Sequence, residues 1–500
     1  MSGYCTRDRH LAHFLRLRGH RVRRINAGDG RPERWTFNAV AAGDARLFAG
    51  ADPPEPEDEP PVATAQTARP EPSQQVTPSP AASTSAPHVP PSVADSVDPV
   101  VQRYYPALLR PVHAMLAVFG AMALKGRTRP LTLIFESASG FGKTAVVQMA
   151  FARQDSALRS LVYRSDRFTP KSFVSHAAIA PGSAPMDRDL LPKLKGKVLL
   201  TKELAPIFRG RSEQLEENFN ILIGVLDGKG FTSDSGMLGR RGYERSVLFN
   251  WCGATTPLPP RTHRLMAQLG TRLLFFEVPA IGLTEEDLLQ YAAREDSGEA
   301  EEECQRAVNE FLVAFFGQHQ VGGVPPEEIT IPKDVLREIV QLSQLIVRSR
   351  VEVRYERDLG EWEPVAVGQC EGPWKVVNAL KELARGHALI HGRGEVTEED
   401  LALVRTVALS STPSHVRPIL RELGVTGQVD SVAVARLCGV SRPTARRRLR
   451  EVALLGLGVL DHGTPENNLP DQISLADEFR WLSRTCSTTY TGVCERERNI

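Results

Sequence analysis

Leu131-Thr132-Leu133-Ile134-Phe135-Glu136-Ser137-Ala138-Ser139-Gly140-Phe141-Gly142-Lys143-Thr144 decides the fold class of this chain. The apolar run Leu131 to Phe135 is short enough for a buried strand, and Ala145 to Arg153 follows an amphipathic helical pattern. Between them, small residues and glycines lead into a lysine and a hydroxyl. A polyphosphate needs such a place. Free backbone N–H groups at a helix start receive its charge, and glycine lets the backbone approach without a Cβ in the way. Ser137, Ser139, Gly140, Phe141, Gly142 and Lys143 are therefore the expected nucleotide-binding residues, with Lys143 reaching the β and γ phosphates and the Thr144 hydroxyl a ligand to Mg²⁺. Ser137 stands where the motif usually has glycine. A glycine-rich strand-to-helix turn without a ligand is the alternative.

Strands and helices alternate from here to about Pro279, the sign of a parallel sheet with crossover helices. Nucleotide hydrolysis also needs a carboxylate at a neighbouring strand end, to hold magnesium's water shell and polarise the attacking water. Lys197-Val198-Leu199-Leu200-Thr201-Lys202-Glu203 supplies one acid, so Glu203 takes either the metal or the base role, or is a surface acid after a core strand. A third strand ends in Gly253-Ala254-Thr255-Thr256-Pro257, where a hydroxyl would touch the γ phosphate or where the chain merely turns. Arg261 to Gln268 reads as a helix, and Arg272 precedes the strand Leu273 to Val278. An arginine at that corner can offset transition-state charge on a neighbouring subunit's nucleotide, which requires a ring; a plain surface arginine is the other reading. Phe231 and Tyr243, on the glycine-bounded segment Asp227 to Tyr243, suit a hairpin that stacks on and grips nucleic acid, or an ordinary exposed hairpin.

The C-terminal segment Val432 to Arg450 carries the helix-turn-helix pattern: an apolar stripe of Val434, Leu437, Val440, Ala445 and Leu449, Gly439 at the turn, and Ser441 capping the second helix. Arg442, Arg446, Arg447, Arg448 and Arg450 load that helix with charge suited to phosphates or guanine edges in a major groove. Leu454 to Leu460 and Gln472 to Leu475 read as the strands of a wing, giving a winged helix that binds DNA or serves protein contacts.

The strand ends quoted above come in the order seen in AAA+ ATPases, and the chain from about 105 to 412 resembles that family. Leu190 to Glu203 is similar to a branch carried by phages and integrated elements. The resemblance implies an arginine finger at Arg272, a sensor at Thr255 or Thr256, bound ATP and Mg²⁺, and a homo-oligomeric ring such as a hexamer. Glu371-Gly372-Pro373-Trp374-Lys375-Val376-Val377 looks like the lid of minichromosome-maintenance-type helicases, where a basic residue senses nucleotide; here that is Lys375. Tyr4 to Gly19 is similar to a small module of phage and mobile-element proteins.

The remaining sequence bounds this picture. Five hundred residues exceed one ordinary core. The expected organisation is a small basic α+β module over 1–50, a disordered linker over 51–98, an α/β P-loop ATPase core of AAA+ type over 99–280, a helical lid over 281–412, the winged helix over 413–482, and a flexible tail over 483–500. In the first module a helix His10 to Arg18 and strands Arg21 to Asn26 and Trp35 to Ala39 are expected, with ten arginines against four acids. The linker holds twelve of the 36 prolines and no Phe, Tyr or Trp, too little apolar surface to offset ordering. Sixty-one Lys and Arg against 60 Asp and Glu leave a net charge of +1, excluding a uniformly basic coat, so any DNA surface is local. No run approaches a membrane span, the first thirty residues lack a signal core, and a cytoplasmic chain with no membrane partner is expected. The seven cysteines lie far apart without a C-x-x-C pair, which argues against a zinc site or a disulfide framework. An ATP-dependent, DNA-associated ATPase follows: a helicase, a helicase loader or a replication initiator of a phage or mobile element. An ATP-switched DNA-binding regulator with little turnover, or a DNA binder on a dead ATPase scaffold, are the competing readings.

Overall fold

The computed structural model describes residues 4–6, 23–25, 34–37, 92–175, 188–235, 239–258, 270–279, 289, 297–358, 361–463 and 470–483. The chain divides into two compact units, Met1–Thr84 and Ser85–Ile500. In the first, β1 (Tyr4–Thr6), β2 (Arg23–Ile25) and β3 (Arg34–Phe37) form an antiparallel sheet of order β1-β3-β2. The two expected strands are β2 and β3, and β1 is additional; the expected helix His10 to Arg18 lies outside the described residues.

The second unit opens with helices α1 (Val93–Ser96), α2 (Asp98–Tyr104) and α3 (Leu109–Ala123). Helix α1 and the start of α2 thus lie inside the stretch expected to be linker. The phosphate-loop strand β4 (Leu131–Glu136) and helix α4 (Lys143–Met149) follow, then β5 (Val162–Arg164), β6 (Val198–Thr201), α5 (Ser212–Leu226), the hairpin β7 (Phe231–Ser235) and β8 (Gly239–Tyr243), β9 (Asn250–Thr255) and β10 (Leu274–Glu277). Five of these strands form one all-parallel sheet of order β10-β4-β9-β6-β5. The helix expected at Arg261 to Gln268 lies outside the described residues.

Alternation along the strands sets the two faces of this sheet. Leu133, Phe135, Leu200 and Ala254 pack with α3 and α4 in one core, while Ile134, Leu199, Trp251 and Phe275 pack with Phe219 and Leu222 of α5 in another. The helical region is α6 (Ser297–Gln318), α7 (Lys333–Ser349), α8 (Trp374–Ile390) and α9 (Glu398–Ser410), interrupted by the antiparallel hairpin β11 (Val353–Asp358) and β12 (Glu361–Val367). That hairpin is absent from the helical lid expected over 281–412. Val308, Leu342, Leu383 and Val404 of these helices belong to the same core as α3 and the sheet, so the lid has no separate core of its own. The junction is tight because glycine lines it: a Cβ on Gly386 would stand 2.2 Å from the Ala117 carbonyl oxygen, and one on Gly120 2.3 Å from the Gly386 carbonyl oxygen. The segment Pro106–Ala123 is long and apolar enough to cross a membrane by length and composition, contrary to the sequence expectation, but it is mostly buried, lying against the sheet and α8.

The C-terminal module is α10 (Arg417–Thr426), β13 (Gln428–Asp430), α11 (Ser431–Cys438), α12 (Arg442–Leu454), β14 (Gly458–Asp461) and β15 (Gln472–Leu475), with an antiparallel sheet of order β13-β15-β14. Asp430 caps α11 by accepting from the N–H groups of Val432 and Ala433, Gly439 makes the turn at φ +61°, and the Ser441 hydroxyl accepts from the Thr444 N–H. Ile419, Val434, Leu449 and Ile473 give this module its own core, which Val353 of the hairpin joins.

Candidate nucleotide-binding site

In an open parallel sheet, ligands bind beyond the carboxyl ends of the strands, where the strand order reverses. Strand β4 lies inside the sheet, between β9 and β10, and its loop leaves at that edge. Gly140 has φ +93° and open space where a Cβ would be; Gly142 has φ +79° and begins α4 with no capping side chain. Both conformations are open to glycine and costly for other residues. At Gly142 a Cβ would also meet the Leu108 side chain at 2.8 Å. Lys143 is 5% exposed, and its ammonium donates to the Ala138 carbonyl oxygen at 3.2 Å, across the mouth of the loop. Helix α4 starts at Lys143 rather than Ala145, so Thr144 sits in its first turn.

The strand pairing brings the other expected groups to this edge. Glu136, last in β4, is level with Thr255, last in β9, and the Ser137 N–H donates to the Thr255 carbonyl oxygen at 3.3 Å. Thr255 is buried, with its hydroxyl on the Thr256 carbonyl oxygen at 3.0 Å. Glu203 follows β6 on the far side of β9, about 10 Å from β4 at ordinary strand spacing. One of its oxygens accepts from the Ala205 N–H at 2.8 Å, which fixes the carboxylate. The neighbouring Lys202 stands 5.4 Å over the Phe151 ring. Sequence reading missed Asp166, just beyond β5, which forms a bidentate pair with Arg164; that hydrogen bonding and the nearby Lys202 outweigh burial and hold its carboxyl below the usual range.

Arg272 and Lys375 lie elsewhere. Arg272 precedes β10 and pairs bidentately with Asp227, at 3.1 and 3.0 Å, beside Arg129 at the amino edge of the sheet. Burial pushes the Asp227 carboxyl up, but Arg272 wins and holds it low. Lys375 donates to Glu371 at 2.9 Å, and Glu371 also accepts from the Thr271 hydroxyl at 3.4 Å. This cluster is a strand length from the loop, about 20 Å for the six residues of β4. Lys375 therefore does not join Lys143 around a nucleotide on the same chain.

Two further expectations change. The Tyr243 hydroxyl donates to Asp189 at 2.8 Å, and burial with that bond pushes it up to about 12; Phe231 packs on the core beside Gly224. Neither aromatic is presented for stacking. On α12, Arg450 is 2.7 Å from Glu363 and Arg447 donates to the Trp362 carbonyl oxygen at 3.4 Å, both on β12, while Arg446 lies 3.8 Å from Asp471. The hairpin thus holds part of the arginine face. Arg442 is exposed and Arg448 half-buried.

Comparison with family models and with curated proteins finds no match. Among solved structures, a full-length MCM homolog from Methanopyrus kandleri is similar at 13% identity with a TM-score of 0.33, over 64% of this chain and 60% of that one. A likeness that slight assigns no family.

The structure also joins residues that sequence spacing could not. Arg417, at the start of α10, is buried and donates to Glu136 at 3.0 Å, with Glu277 at 3.4 Å; Arg421 also holds Glu277. The C-terminal module is thereby tied to the strand end that carries the phosphate loop.

Proposed function

We propose that the chain is an ATP-dependent, DNA-associated ATPase of AAA+ type. The observation that carries this reading is the loop at 137–144: two glycines at positive φ, a buried lysine whose ammonium rests on a neutral carbonyl, a hydroxyl at the end of the adjacent strand β9, and a carboxylate just past β6, the next strand beyond it. The donor set fits a nucleotide triphosphate with Mg²⁺, and the open space at Gly140 admits close approach of phosphate. Lys143 would hold the β and γ phosphates, Thr144 and Glu203 the Mg²⁺ shell, and Thr255 the γ-phosphate side. Magnesium supplies charge neutralisation on the phosphate oxygens. Glu203, whose carboxylate accepts from the Ala205 N–H, would in the alternative role accept a proton from the attacking water. The C-terminal module acts as a winged helix on duplex DNA, using Arg442, Arg446 and Arg448 first, with Arg447 and Arg450 available once the β11–β12 hairpin yields. Arg272 and Lys375 act across a homo-oligomeric ring. Helicase, loader or initiator activity in a phage or mobile element is the setting.

One observation favours the regulator as second reading. The Arg417–Glu136 pair touches the residue before the loop, and the hairpin holds α12, so nucleotide binding and DNA binding share a mechanical connection that needs little turnover. Phosphate release by wild type, Lys143→Ala and Glu203→Gln, with and without duplex DNA, separates the two. A motor shows DNA-stimulated release that both variants lose, and displaces an annealed strand; a regulator binds ATP, protects one sequence and hardly turns over. Absence of nucleotide binding by wild type overturns both.

A further inference from the structure

His113 of α3, His387 of α8 and His391 at the C-terminal end of α8 each bring one ring nitrogen within 4.8 Å of the others. Their ring centroids are 4.6 to 5.8 Å apart. The spacing of four between His387 and His391 places both on one helix face, and the packing of α8 on α3 delivers the third ring. Each of two rings is held by a carboxylate. Asp98 lies 2.6 Å from Nε2 of His113, and Asp400 lies 2.5 Å from Nδ1 of His387. A carboxylate accepts, so those nitrogens carry hydrogen and the other nitrogen of each ring carries the lone pair. Nε2 of His391 is buried and has no hydrogen-bond partner among the described residues. Most buried polar atoms have a partner, so that nitrogen is open to a ligand. The three rings face a cleft of ≈ 580 Å³, also lined by Arg110, Arg393 and Glu399.

We infer that this cluster is a binding site for a divalent transition-metal ion of the zinc type, held by His113, His387 and His391, with the fourth position open to the cleft. Imidazoles suit zinc, and carboxylates on the ligands' far nitrogens are the usual outer support of a histidine site. The local charge permits it. Arg393 stands close, but its guanidinium is engaged by Glu399 and Asp400, both at 2.6 Å, and Arg110 donates to Thr406 at 3.3 Å. Three carboxylates, Asp98, Glu399 and Asp400, thus face two guanidiniums. The ion would join α3, which lies on the sheet, to α8 of the lid, across the Gly120–Gly386 contact. It is remote in role from the nucleotide loop, and it stands whether or not the chain hydrolyses ATP. The cysteines gave no hint of it, because the site uses none.

The test uses the full chain, stripped of metal with a chelator and then titrated with zinc against a chromophoric competitor. Wild type should take up one equivalent and melt at a higher temperature with zinc present. His113→Gln and His391→Gln should bind at least tenfold more weakly and lose the zinc-dependent rise in melting temperature. Asp98→Asn, which keeps all three ligands, should weaken binding by about tenfold, the lower end of such outer-support effects. Should the histidine variants fail to fold, cobalt in wild type decides: visible bands of four-coordinate nitrogen and oxygen ligation support the site, and a sulfur-to-cobalt charge-transfer band, or no band, overturns it. Zinc uptake below one equivalent, or histidine variants that bind as wild type does, also overturns it.

Discussion

Lys143 at one edge of the parallel sheet and Arg272 and Lys375 at the other are held in opposite ways. At the carboxyl edge Lys143 has, among the described residues, the Ala138 carbonyl oxygen as its partner, a neutral acceptor that an incoming phosphate easily outcompetes. At the amino edge Arg272 is held by Asp227 and Lys375 by Glu371, so each charge is already matched. The arginine face of α12 resembles the second case, with Glu363 on Arg450. A cation without a charged partner marks where an anionic ligand belongs; a matched one must first lose its partner, which makes it a part that acts only after a change of assembly.

Several measurements break or sharpen this contrast. Lys143→Ala should take nucleotide binding and phosphate release to background while leaving the melting temperature almost unchanged, since the lysine gives up one neutral hydrogen bond. Near-normal turnover in that variant would remove the carboxyl-edge site. Arg272→Ala should lower turnover about a thousandfold, the low end for an arginine finger, and only at protein concentrations where the chain self-associates. A loss that is the same in the dilute monomer would mean that the residue merely neutralises Asp227.

Gly142→Ala should cost about 1–2 kcal/mol from the left-handed backbone alone, with more from the Leu108 side chain, read by denaturant unfolding. Glu363→Gln should release Arg450 and strengthen duplex binding, steepening the salt dependence by about one phosphate contact; an unchanged slope would show that the hairpin does not restrain α12. The smallest effect concerns acid. Burial pushes Glu277 up, but Arg421 and Arg417 outweigh it and hold its carboxyl low. A depressed carboxylate contributes stability above the ordinary carboxylate range and loses it as pH falls through its folded value. Wild type should therefore loosen α10 in acid, and Glu277→Gln should flatten that part of the pH–stability curve.

The phosphate loop was legible because everything it needs is local: a strand, two glycines and a helix start within fourteen residues. Gly439 and Ser441 were legible for the same reason, each acting on its own turn. The β11–β12 hairpin was missed although Val353-Arg354-Tyr355-Glu356 alternates apolar or aromatic with charged residues, because Pro364 within the second run argues against a strand. Arg417 carries no signal of its partner in the sequence; in the fold it is buried against Glu136, 281 residues away. His387 and His391 show helical spacing in the sequence, but nothing there calls for His113.

Sequence alone determined the phosphate-loop strand, turn and helix and the helix-turn-helix, because backbone preference and apolar period act over a few residues at a time. Only the tertiary structure decided which charges are matched and which stand open, since pairing energy depends on distance and burial, and the packing of helices on the sheet sets both.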